Sequence, residues 1–233
     1  MTIGLNGLVL GLSGGWKDPW IWSYCAVWAA TVAYGMLGID DDLARERFEP
    51  PSRGADALAL VLVRLLALAH LVVGALDAGR WHLTAPVPAA VRGAALAGWA
   101  LSLLLVYRSM HENRYFSAVV RVQEDRGHRV IDTGPYSVIR HPGYVGMMMG
   151  MPLSGLALGS WVSFGIALVF ASFIVRRVMF EDAFLFRNLP GYVGMMTGMP
   201  LSGLALGSWV SFGIALVFAS FIVRRVMFED AFL

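Results

Sequence analysis

The stretch PGYVGMMMGMPLSGLALGSWVSFGIALVFASFIVRRVMF, Pro142 to Phe180, has no charged residue before Arg176, and its length decides the kind of fold this chain can form. From Gly143 to Phe180 there are 38 residues, about 57 Å of helix at roughly 1.5 Å per residue, just short of two crossings of a hydrocarbon core about 30 Å thick. The pattern predicts a helical hairpin with a very tight turn at Leu158-Gly159-Ser160-Trp161, leaving Trp161 at the interface. Gly143, Gly146, Gly150, Ser154 and Gly155 would let neighbouring backbones approach closely. Met147 to Met149 read as packing residues.

The hairpin occurs twice. Pro142 to Leu185 recurs at Pro190 to Leu233, offset by 48 residues, and of 44 aligned positions one differs, Met149 against Thr197. Natural repeats diverge and stable arrays usually need three or more units, so two near-identical copies read as a recent join. The polar residues before the first copy, Arg140-His141, are replaced by Asn188-Leu189 before the second. Only the first copy can complete a site that uses them, and residues 190–233 are expected to be a non-functional duplicate.

Further out, 58% of the residues are hydrophobic and 15% charged, which excludes an ordinary soluble domain and predicts an integral membrane protein. Pro19 to Ile39 is uncharged, Ala57 to Leu76 is broken only by Arg64 and His70, and Gly93 to Tyr107 is uncharged again. Three single spans and two hairpins give an all-α membrane bundle of about seven transmembrane helices. The expected divisions are a three-span region over 1–112, a loop-plus-hairpin core over 113–189 and the duplicate over 190–233. The first twelve residues lack a basic start and a long apolar run, so no secretory signal is read there. The mixed-charge connection Asp40 to Asp56, with Pro50-Pro51, reads as a solvated loop without chemistry.

Counting arginines loop by loop, fourteen from Arg45 to Arg225 fall on one side and Lys17, Arg80 and Arg92 on the other. The excess marks the cytoplasmic side, so the N-terminus is expected outside, the C-terminus in the cytoplasm, and a bacterial inner membrane as the setting. Net charge is +2, which says little about partners, and no nucleic-acid partner is expected; Cys25 is alone, which leaves neither a disulfide nor a cysteine metal site within one chain. No metal is expected. Oligomeric state is left open.

The polar segment DTGPYSVIRHPGY, Asp132 to Tyr144, runs directly into the first hairpin. Pro142 suits the first position of a helix, so the amides of Gly143, Tyr144 and Val145 would face the aqueous rim, where a helix start attracts anions. Arg140 and His141 add a fixed charge and a titratable ring. An interfacial anchor is the plainer alternative. The hairpin ends in RRVMFED, with Arg177 and Glu181 four apart on one helical face. That spacing fits either a local ion pair or two opposite charges offered to a zwitterionic ligand such as S-adenosylmethionine.

GPYSVIRHPGYVG, followed about forty residues on by RxxxE, resembles the isoprenylcysteine carboxyl methyltransferase family and its phospholipid-methylating relatives over roughly Asn113 to Tyr192. The resemblance implies a small multispanning enzyme that binds S-adenosylmethionine on the cytosolic side and methylates a lipophilic or prenylated acceptor, most simply a carboxylate on an isoprenylcysteine-like molecule. It implies that Gln123, His128, Arg129, Val130, Ile131, Tyr136, Arg140, His141, Pro142, Gly143, Tyr144 and Glu181 line the cofactor, and that Arg177 faces the acceptor carboxylate beside Glu181. A carboxylate acceptor is already ionised and needs no general base, whereas an amine or thiol would call on His141 or Glu181. The family's short Tyr- and Arg-containing tail is replaced here by the second hairpin, and Asp182 stands where a second Glu is common. Two other classes stay open: a nicotinamide-dependent membrane reductase of the steroid-reductase type, suggested by His-Pro-x-Tyr but lacking its Asn and Glu, and a non-enzymatic or transport bundle, suggested by the repeat and by Arg64 and His70.

Overall fold

The computed structural model describes residues 2–49 and 56–192. The second hairpin from residue 193 on, and with it Arg225 and Glu229, lies outside the described residues. Among the described residues the α-helices are α1 (Thr2–Ser13), α2 (Pro19–Met36), α3 (Asp41–Phe48), α4 (Ala57–Leu76), α5 (Ala89–Glu112), α6 (Pro142–Leu158) and α7 (Trp161–Asn188). Among the described residues three helices are long and apolar enough to cross a membrane, fewer than the five expected there: α5, α7, and α4 together with the wide turn that prolongs it, over Leu58–Trp81, whereas the Trp- and Tyr-rich α2 and the shorter α6 are not among them.

The hairpin turn stands where the apolar length puts it. Gly159 ends α6 at φ +97° and its N–H reaches the Gly155 and Leu156 carbonyls, while Ser160 caps α7 by accepting from the Ser163 amide at 3.0 Å. A Cβ at Gly155 would lie 2.6 Å from the Phe164 nitrogen, and one at Gly146 would lie 2.7 Å from the Ser102 carbonyl oxygen. These small residues set how closely α6 meets α7 and α5, which matters in lipid because apolar burial alone does not drive helices together there. His70 joins the same helices by polar contacts, with Nε2 2.6 Å from the Ser154 hydroxyl and Nδ1 2.7 Å from that of Ser163. Trp99 stacks on Tyr24 at 4.1 Å and on Trp28 at 5.8 Å, joining α2 to α5 in the core.

Three elements depart from the sequence expectation. Residues 2–13 form the half-length helix α1, whose last carbonyls accept from Arg80, Nε to Leu12 at 2.7 Å and Nη2 to Gly11 at 3.0 Å. The connection Asp40 to Asp56 is not simply a solvated loop: Asp40 caps α3 by accepting from the Leu43 amide at 2.7 Å, with Asp41 and Asp42 in the first turn and Arg45 and Arg47 in the last. Charge in that order complements the helix dipole, so the mixed composition encodes a short helix. The third is α7, which continues past Phe180 to Asn188, since Glu181 to Asn188 contains no Gly or Pro. At 28 residues it is about 42 Å long, so its final turns outrun a core about 30 Å thick.

The ends of the bundle differ. At one, Ser160 donates to Asp77 at 2.5 Å and Arg92 donates to the Leu158 carbonyl at 2.8 Å, joining the α6–α7 turn to the links around α4 and α5. At the other, α3, the segment between α5 and α6, and the last turns of α7 meet around a cavity.

Candidate active site

That cavity has a volume of about 870 Å³ and runs from the 113–141 segment down between the helices to Tyr24, Trp28, His70 and Trp99. Its polar rim begins at His141, the residue before α6, whose side chain does not cap the helix. Pro142 opens α6 and is buried. Gly143 follows with the Phe116 ring against it, so close that a Cβ there would meet the ring at 2.6 Å.

On the facing turn of α7, Glu181 Oε2 accepts from the Tyr144 hydroxyl at 2.6 Å. Its other oxygen has no hydrogen-bond partner among the described residues. Asp182, one position on, gathers a second group: His141 Nε2 donates to its Oδ1 at 2.8 Å, Arg140 lies 3.6 Å from Oδ2, and the Tyr192 hydroxyl donates to Oδ1. Because a carboxylate only accepts, His141 carries a proton on Nε2 and leaves Nδ1 as its other ring nitrogen. Burial and the Asp182 carboxylate raise the Tyr192 phenol above its ordinary range.

Of the two readings of the Arg177 and Glu181 spacing, the local i,i+4 ion pair does not form. Arg177 is buried and turns instead to Asp56, with Nε 2.8 Å from Oδ2 in an ion pair, and Nη2 donates to the Ala118 carbonyl at 2.5 Å. The other Asp56 oxygen accepts from the Val120 amide at 3.1 Å, so one carboxylate ties the start of α4, the 118–120 backbone and α7 together.

The 115–128 backbone is closed by its own side chains. Gln123 is fully buried, its Nε2 donating to the Tyr115 carbonyl at 2.8 Å and its Oε1 accepting from Arg126 at 2.6 Å. His128 Nδ1 accepts from the Gln123 amide at 3.2 Å, with the ring 4.5 Å from that of Tyr115. Burial first, then the positive charges of Arg121 and Arg126, lower the His128 pKa to about 4, so the ring is neutral near pH 7. Arg121 is held by Glu46 of α3 at 2.6 Å, which raises its pKa. Burial raises that of Tyr136.

Of the residues singled out by sequence, Gln123, His128, Arg129, Val130, Ile131, Tyr136, Arg140, His141, Gly143, Tyr144, Arg177 and Glu181 all border this one cavity. Pro142 does not, and its place is to start α6. Sequence reading passed over Asp56, Asp182 and Tyr192 as partners of these residues, and Arg47 and Phe116 in the wall. Adjacency to Glu181 was the one local signal for Asp182. The others depend on contacts between distant elements. Among the described residues no cluster of His, Cys, Asp and Glu could hold a metal.

Residues 91–188, from α5 through the whole of α7, match the phospholipid methyltransferase family, which is related to the isoprenylcysteine carboxyl methyltransferases. The match points to a membrane methyltransferase. Comparison with curated proteins gives no significant match.

Proposed function

We propose that this chain is an S-adenosylmethionine-dependent methyltransferase whose acceptor is a lipophilic molecule, with carboxyl O-methylation of an isoprenylcysteine-like substrate as the reaction its chemistry suits best. The observation that carries the reading is the two-ended cavity: polar residues of the matched stretch ring one end, and apolar side chains of the spans line the other. A water-soluble cofactor and a membrane-embedded acceptor can meet in such a space.

The polar end fits the cofactor's functional groups. The free oxygen of Glu181 suits an ammonium, the uncapped amides at the start of α6 suit a carboxylate, and Tyr136, Tyr144 and the neutral His128 offer surfaces for a purine. When bound, S-adenosylmethionine would supply a methyl group on a positively charged sulfur for displacement by the acceptor oxygen, the sulfur keeping the electron pair of the broken carbon–sulfur bond. The chain's contribution is alignment. Tyr144 fixes the Glu181 rotamer, Asp182 fixes the ring of His141, and the packed helices keep bulk water from the acceptor, all of which lower the barrier without proton transfer. For an amine or thiol acceptor, His141 Nδ1 or Glu181 would take the proton. Arg177 can face an acceptor carboxylate with the N–H groups that Asp56 and Ala118 leave over. The arginine imbalance supports a cytoplasmic mouth for this cavity.

The test is calorimetric titration of S-adenosylmethionine into the detergent-purified chain and into Glu181→Gln, His141→Ala and Glu229→Gln. Binding by the parent, lost or weakened about tenfold or more in the first two variants and kept in the third, is expected. A parent chain that binds no cofactor refutes the proposal.

A further inference from the structure

We propose that Arg47 and Arg64 form the site that holds an oxyanion on the headgroup of the lipophilic acceptor. Both border the cavity, Arg47 from α3 and Arg64 from the second turn of α4. Among the described residues, neither has a carboxylate within ion-pair distance or a hydrogen-bond partner. The nearby carboxylates are already engaged. Glu46 accepts from Arg121 through both oxygens and from Ser117, and Asp56 holds Arg177.

Arg47 is mostly buried, and its guanidinium lies 5.4 Å from the centre of the Phe116 ring, the same ring that packs on Gly143. Loss of water lowers its pKa, and the positive charges of Arg177 and Arg64 act in the same direction while the hydroxyls of Tyr144 and Tyr107 oppose them. A cation kept from water without a counter-charge is costly unless an anion joins it. Cation–π contact offsets only a part of that cost.

Arg64 completes the picture from the lipid side. It is exposed, on a helix whose Val61, Leu62, Leu65 and Leu68 are exposed as well. Seven residues into α4, it stands about 10 Å along the helix, at a depth where an arginine reaches toward the headgroup layer. An amphiphile sliding in from the bilayer would meet Arg64 first and Arg47 inside, with its chain against the apolar face of Leu60, Val63 and Ala67. Two guanidinium groups suit the oxygens of a phosphate or of a carboxylate. Both arginines lie outside residues 91–188, so part of the acceptor's recognition comes from the stretch that the family match does not cover, beside Arg177 within it. The word acceptor rests on the methyltransferase reading. The oxyanion site does not.

The experiment titrates the full chain, in uncharged maltoside micelles, with dodecyl phosphate, dodecanoate, dodecanol and inorganic phosphate, with S-adenosylmethionine titrated in parallel. At least one charged amphiphile should bind while dodecanol and inorganic phosphate do not, and the stronger of the two charged probes names the headgroup. Arg47→Gln and Arg64→Gln should each weaken that binding by about tenfold. Arg47→Lys and Arg64→Lys should retain more of it, and Arg45→Gln, exposed on the same helix, should leave it unchanged. If a Gln variant does not elute as a single species, its Lys counterpart and the other Gln variant carry the comparison. Equal binding of dodecanol, or charged-probe binding indifferent to both arginines, overturns the inference. Arginine-dependent binding in a chain that takes no S-adenosylmethionine would sink the methyltransferase reading and leave the oxyanion site standing. Normal cofactor binding with arginine-independent amphiphile binding would do the reverse.

Discussion

Adding one methyl group at Gly146 should destabilise the protein, whereas adding one at Gly165 should not. A Cβ at position 146 would lie 2.7 Å from the Ser102 carbonyl oxygen and 2.7 Å from the Val106 side chain, about 0.7 Å inside ordinary contact at 3.4 Å. The oxygen belongs to the backbone of α5 and cannot swing away, so α5 and α6 must separate. Overpacking of this kind costs about 1–3 kcal/mol, against which alanine's better helix propensity returns at most about 1 kcal/mol. At Gly165 in α7 nothing lies within 4 Å, so there the propensity gain is unopposed. Gly146→Ala should therefore lower the apparent Tm by a few degrees, up to roughly 8 °C, and Gly165→Ala should raise it or leave it unchanged. The assay is thermal unfolding in one detergent, followed by far-ultraviolet circular dichroism. The separation of α5 and α6 would also open the cavity wall, so cofactor affinity should fall in the first variant alone. A Gly146→Ala protein as stable as Gly165→Ala would refute the close α5–α6 crossing and with it the shape of the cavity.

Two further outcomes test the supports of the site. Because the native pKa of His128 is about 4, below the ordinary 6.5, the unfolded chain takes up that proton first as pH falls, so stability drops between about 6.5 and 4 and is unaffected by this ring above that window. His128→Asn, whose side-chain oxygen can still accept from the Gln123 amide, should show a shallower fall in Tm over pH 4–6.5, and an identical slope would count against the neutral ring. Asp56→Ala leaves Arg177 as a buried unpaired charge and should cost about 3–5 kcal/mol, most of it recovered in the Asp56→Ala/Arg177→Met double variant. Additive losses in a denaturation cycle would mean that the pair is not coupled.

The features legible in the sequence are those fixed by local chemistry. The turn at Gly159-Ser160 follows from the number of apolar residues and from one position that takes a positive φ, and the close crossings follow from glycines spaced along α6. The starting point of α6 follows from Pro142. What was not legible depends on partners far apart in sequence. Arg177 and Glu181 have the spacing of an ion pair, worth a few tenths of a kcal/mol on an exposed helix. In the fold, Asp56 and Tyr144 take their place, because partners held by packing and shielded from water outcompete a solvated neighbour. The same holds for α3, whose mixed charge reads as solvated although Glu46 is buried against Arg121 and Arg47 against the cavity.

The arginines do more than differ in number between the two sides. The two on the sparse side are both bound to helix C-termini, Arg80 to the carbonyls of Gly11 and Leu12 and Arg92 to those of Ala157 and Leu158. The last carbonyls of a helix have no partner within it, and a guanidinium satisfies two at once. Their work is complete within the fold. On the crowded side Arg121 and Arg177 are likewise tied to carboxylates, but Arg47 and Arg64 border the cavity without a described carboxylate partner. A count of positive charge by loop cannot separate these groups, since it registers only which side a residue is on. The distinction that bears on function is which cations border the cavity unneutralised; among the described residues Arg129 does so from the 113–141 segment, while Arg47 and Arg64 do so from α3 and α4, where the cavity wall meets the exposed apolar side of α4.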